Sequence, residues 1–71
     1  MESHWTEEDR EIAENAIENS LDYFRHTEFG KTSKYKRDHH RKVIANELKF
    51  LKENFPESYI LSEDISFVPK D

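Results

Sequence analysis

The chain has 71 residues, with 16 Asp and Glu against 11 Lys and Arg, a net charge of −5, and no cysteine. That length allows one small domain whose core is marginal without a supplement. Without cysteine, neither a disulfide nor a thiolate zinc site can be that supplement. Leu, Ile, Val and Phe total only 16 of 71 residues and 38% of the chain is charged, which leaves tight helix packing or self-association. Self-association is the expectation.

Charge is unevenly spread. Residues 1–30 carry nine acids and two bases, residues 31–56 eight bases and three acids, and residues 57–71 four acids and one base. The three segments therefore have net charges of −7, +5 and −3. Met1 to Trp5 offers neither a basic nor an apolar region of the kind a signal peptide needs, and no apolar run approaches the ~20 residues of a membrane span. A cytoplasmic protein is expected.

After a short N-terminal arm, residues 1–5, the first helix is expected over about 6–29. Thr6 is placed to cap it, and Glu7, Glu8 and Asp9 favour its dipole. Ile12, Ala13, Ala16, Ile17, Leu21, Tyr23 and Phe24 spread over roughly half of its circumference, a wider arc than one neighbouring helix covers. Glu7, Glu11, Glu14, Glu18 and Asp22 recur at helical spacing along the remaining face and form an acidic stripe. Gly30, the single glycine of the chain, stands where a helix-terminating residue would.

The connector is short, so the second helix, about 33–55, is expected to return antiparallel from a cap at Ser33 or Thr32. Ile44, Leu48, Leu51 and Phe55 give it a narrow apolar stripe that His40 extends. Val43 and Phe50 lie beside that stripe and suggest a dimer interface. Pro56 ends the helix, because proline disfavours helical geometry in the residue before it. In the tail, residues 56–71, two apolar runs flank Ser62-Glu63-Asp64, so an extended segment or a small β-hairpin is expected. The fold class is thus all-α, a single domain built as an antiparallel two-helix hairpin that dimerises into a four-helix arrangement.

Trp5-Thr6-Glu7-Glu8-Asp9 resembles the opening of a Myb-type DNA-binding repeat, but the further spaced tryptophans of that family are missing. The reading kept is a helix cap preceded by an aromatic anchor. Asp38-His39-His40 resembles the signature of a phosphoesterase family whose metal site needs additional Asp and His ligands, and this chain is too short to supply them. His39 and His40 are adjacent, about 100° apart on a helix, so no metal site is expected. A single glycine cannot build a phosphate loop. No catalytic residue and no cofactor is assigned, and the expectation is a protein that is not an enzyme.

Two interaction readings remain. The first is a small acidic inhibitor, adaptor or regulator, of a size common among phage and mobile-element proteins, that binds a larger protein through the stripe Glu7, Glu11, Glu14, Glu18 and Asp22. The second is a nucleic-acid-binding module in which Lys34, Arg37, Arg41 and Lys42 contact phosphates.

Overall fold

A computed structural model describes residues 4–27 and 32–70. Helix α1 spans Glu7–His26 and helix α2 spans Lys34–Asn54, packed against each other as an all-α pair. Trp5, at the start of α1, packs on Phe50 near the end of α2, and Ser20 meets His40 farther along. The two helices therefore run antiparallel.

The start of α1 is fixed by a reciprocal capping box. The Thr6 hydroxyl accepts from the Asp9 backbone N–H at 3.3 Å, and the Asp9 carboxylate accepts from the Thr6 N–H at 2.9 Å. Two otherwise unpaired backbone donors are satisfied together. The helix ends at His26, short of the expected residue 29, because Thr27 takes an extended backbone (φ −119°, ψ 135°). Phe29 and Gly30, and with them the expected glycine terminator, lie outside the described residues. Helix α2 opens on Ser33, whose hydroxyl accepts from the Lys36 N–H at 3.1 Å. Its last turn closes with the Phe55 N–H donating to the Leu51 carbonyl at 2.7 Å, directly before Pro56.

The core is the seam between the helices. Ala13, Ile17, Leu21 and Phe24 of α1 meet Ile44 and Leu51 of α2, with Leu48 and Phe55 packed alongside. The tail then corrects the hairpin expectation, since no β-strand forms among the described residues. Tyr59–Ser62 is instead a turn of 3₁₀ helix that buries Ile60 in the core. A period-2 reading fails here because Ile60 is inserted into an existing apolar seam rather than paired with another strand.

Around that turn the chain lies against α1. It contacts Glu14 through Ser58, Glu18 through Tyr59 and Arg25 through Glu63. Its second apolar run, Ile65 to Val68, also packs on the core. The Cα extents are 44 × 20 × 18 Å and the radius of gyration is 13.1 Å, above the about 11 Å of a spherical domain this long. The tail thus covers one long side of a rod-like hairpin.

Candidate functional site

The acidic stripe is where sequence and structure part most sharply. Four of its five carboxylates are engaged within the chain, Glu14 and Glu18 with the tail and Glu7 and Asp22 with arginines of α1 itself. Arg10 stands one turn after Glu7 and one turn before Glu14. Its guanidinium donates to both oxygens of Glu7, at 3.1 and 2.9 Å, and from Nη1 to both oxygens of Glu14, at 2.9 and 2.8 Å. The bidentate bond to Arg10 holds the Glu7 carboxyl below its ordinary range, and the Arg10 guanidinium is pushed upward in turn.

Glu14 is only 5% exposed, and the Ser58 hydroxyl donates to it across 2.6 Å. Glu18 accepts from the Tyr59 hydroxyl at 3.0 Å, a bond that raises the Tyr59 pKa because it requires the protonated phenol. Asp22 pairs with Arg25 at 2.9 Å, and Arg25 also reaches Glu63 at 3.5 Å and lies over the Phe67 ring at 5.3 Å. Among the stripe residues, Glu11 alone is exposed with no ion pair among the described residues. Glu14 and Glu18, in the middle of the stripe, hold the start of the tail.

The basic candidates are likewise engaged within the chain. Lys34 pairs with Asp38 at 3.0 Å, and Arg41, largely covered, pairs with the same carboxylate. The Lys34 hydrogen bond in particular holds Asp38 below its ordinary range. Arg37 turns back over the start of α2 and donates to the Thr32 carbonyl at 2.9 Å and to its hydroxyl at 2.8 Å. Lys42, one turn after Asp38, is exposed beside it. Three of the four are thus engaged within the chain.

Of the two residues expected at a dimer seam, Phe50 is half-buried and already has intramolecular neighbours. Its ring meets Trp5 edge-on at 5.0 Å and Phe55 at 6.0 Å. Val43 is half-buried as well. His40 lies between the helices, stacked on Tyr23 at 4.1 Å, with Nδ1 hydrogen-bonded to the Ser20 hydroxyl at 3.0 Å. Desolvation, with smaller contributions from His39 and Lys36, pushes its pKa down. No three Asp, Glu or His side chains come together as a metal-holding group among the described residues.

Two further surfaces were not foreseen. A cleft of about 630 Å³ lies between α2 and the tail, lined by Ile44, Ala45, Leu48, Ile65, Val68 and Arg41 among others. On the side of the hairpin away from the tail, Ile12 is 61% exposed and Trp5 53% exposed. The role of Arg10 is readable from its i+3 and i+4 spacing to two glutamates. That of Ser58 is not, because it depends on the path of the tail.

Compared with protein-family models, with curated proteins and with solved structures, the chain matches none of them. Among the described residues, no helix is long and apolar enough to cross a membrane.

Proposed function

We propose that the chain is a small, non-enzymatic interaction protein of the inhibitor, adaptor or regulator type, acting in the cytoplasm. Its docking surface is the side of the hairpin that the tail leaves bare. The observation that carries this reading is the exposure of Ile12, on a flank where Ala16, Val43 and Phe50 are each left half-buried. A large exposed aliphatic side chain among other apolar ones, with charged residues around it, is the composition of a protein-binding patch.

The engagement of Glu7, Glu14, Glu18 and Asp22 by groups of the same chain argues for this apolar flank over the acidic stripe as the contact surface. The pairing of Lys34, Arg37 and Arg41 within the chain likewise argues against phosphate contact as its main role. In support of the non-enzymatic reading, the contact most like a catalytic pair, Ser20 with His40, has its serine only 3% exposed between two helices. A substrate has no access to it.

Site-specific photocrosslinking tests the surface. A benzophenone side chain at position 12 or 46, on the bare side, should give discrete protein adducts that survive nuclease treatment. The same group at position 62, on the tail, should give few. Adducts only from position 62, or adducts lost with nuclease, would remove this reading.

A further inference from the structure

The cleft between α2 and the tail is separate from the bare side, and its lining is specific in both chemistry and charge. Its walls are aliphatic, with Ile44, Ala45 and Leu48 from α2 and Ile65 and Val68 from the tail. Among the described residues no aromatic ring lines it, so an aryl ligand or a nucleobase would find nothing to stack on. Its volume of about 630 Å³ is in the range of small-molecule sites. Arg41 and Leu48 are seven residues apart, so the α2 wall is about 10 Å long, the reach of an alkyl chain of medium length.

Both charged side chains of the lining are cations, Arg41 and Lys70. Arg41 is held within the chain by Asp38. Lys70 is exposed and forms no ion pair among the described residues. The outer rim on α2 has the same sign: Lys49 stands one turn after Ala45 and Lys52 one turn after Leu48. Both are exposed, again without an ion pair among the described residues. No acid of the described chain lines the cleft. Asp38 is taken by Lys34 and Arg41, and Asp64 accepts from the Ser66 N–H at 2.9 Å. Glu47, two positions after Ala45, lies about 200° around the helix from it.

An aliphatic slot with a cationic lining and rim repels a cationic amphiphile and gains nothing from the head of an uncharged one. An alkyl chain ending in one negative charge matches both features. We infer that the cleft binds a free medium-chain fatty acid, with its alkyl chain along Ile44, Leu48, Ile65 and Val68 and its carboxylate at Lys70. Because the tail supplies one wall, the bound chain also ties Ile65 and Val68 to α2, and the ligand stabilises the fold by mass action.

Titration of the isotope-labelled full chain with decanoate, followed by amide chemical shifts, tests this. The expected result is saturable one-to-one binding with shifts gathered at Ala45, Leu48, Ser66 and Val68. Shortening the ligand to hexanoate should weaken binding by up to about fourfold for each methylene removed. Decanol, with the same chain and no charge, should bind at least about fivefold more weakly, and decyltrimethylammonium should leave these amides unmoved. Lys70→Glu should weaken decanoate binding by at least about fivefold, and Ala45→Glu, which sets a carboxylate in the slot, should abolish it. Both positions are exposed, so helicity by circular dichroism should be unchanged.

Shifts gathered at Ile12, Ala16 and Val43 would overturn the inference, because the alkyl chain would then be seeking the bare side. Equal affinity for decanol and decanoate would overturn it too, as would a Lys70→Glu variant that binds like the wild type. Binding to anionic phospholipid vesicles with none to monomeric decanoate would point to a membrane surface instead and overturn it as well. Should Ala45→Glu lose helicity, Lys70→Glu together with decanol serves the same comparison without touching a helix.

Discussion

On the tail side of the hairpin even a carboxylate is enclosed, with Glu14 bonded to Arg10 and to Ser58; on the opposite side an isoleucine, Ile12, stands in solvent. The usual assignment of polar residues to the surface and apolar ones to the interior is reversed at these two positions. A buried carboxylate persists only when its lone pairs are satisfied, so the tail side is finished as a structure within one chain. An exposed Ile12 leaves an apolar surface without such closure. The contrast suggests that the tail determines stability and the bare side determines association, and each of the following experiments can break or sharpen that division.

The largest effect is expected at Ile60, the tail residue set into the core at 2% exposure. Ile60→Ala should cost about 2–5 kcal/mol in urea-induced unfolding. A domain of this size has about 3–5 kcal/mol available from its core, so partial unfolding at room temperature is expected. A loss below about 1 kcal/mol would mean that the tail is only loosely laid on the helices.

Next is the latch at Glu14. Ser58→Ala removes a donor from an enclosed carboxylate that keeps its Arg10 partner, and should cost about 1–3 kcal/mol. Self-association measured by sedimentation should not change. If it does, the two sides are coupled and the division is wrong.

These two residues also mark where the sequence stopped being informative. The helices were legible because their signals are local: Thr6 and Ser33 as caps, Pro56 as a stop, and Ile17, Leu21, Ile44 and Leu51 at helical spacing. The end of α1 was misplaced because Gly30 was the stronger local signal, while the extended Thr27 was the actual terminator. The sequence places Glu14 on an open, partner-binding face because periodicity sorts residues by face and does not say what else will cover that face. The partner that covers it, Ser58, is 44 positions away, and nothing near Glu14 announces it. Phe50 reads from periodicity as lying beside the main stripe of α2, and its contact with Trp5 depends on how the N-terminal arm folds back.

A smaller effect is expected from pH, at the boundary between the two sides. His40 is faced by Ser20, Tyr23 and Phe24 from α1 and by His39 and Lys36 from its own helix. Its folded-state pKa lies below the ordinary value of 6.5, so near and below that pH the unfolded chain binds more protons than the folded one. Stability should therefore be fully present above about pH 7 and decline as pH falls through the window beneath 6.5. Asp38 and Glu7, whose folded values are also lowered, lose their contribution only near and below about pH 4, the ordinary carboxylate range. Melting temperatures measured from pH 7.5 to 5.5 should fall for the wild type and stay nearly flat for His40→Gln. An equal slope in both would assign the effect to other groups.

The smallest change in stability, and the one that most directly separates the two sides, is expected at Ile12. In the monomer this side chain is mostly in water, so Ile12→Ser removes little buried area and should move intrinsic stability by no more than about 0.5 kcal/mol. Association is a different matter, because a second copy docked on the bare side would bury the same side chain. A self-associating chain melts at a higher temperature as its concentration rises, since assembly draws on the folded state alone. The wild type should show that dependence between micromolar and submillimolar protein, and Ile12→Ser should melt at one temperature throughout, equal to the dilute wild-type value. If the variant instead melts far below the dilute wild type, Ile12 contributes to the fold of the single chain, and the bare side is no less a part of the core than the side under the tail.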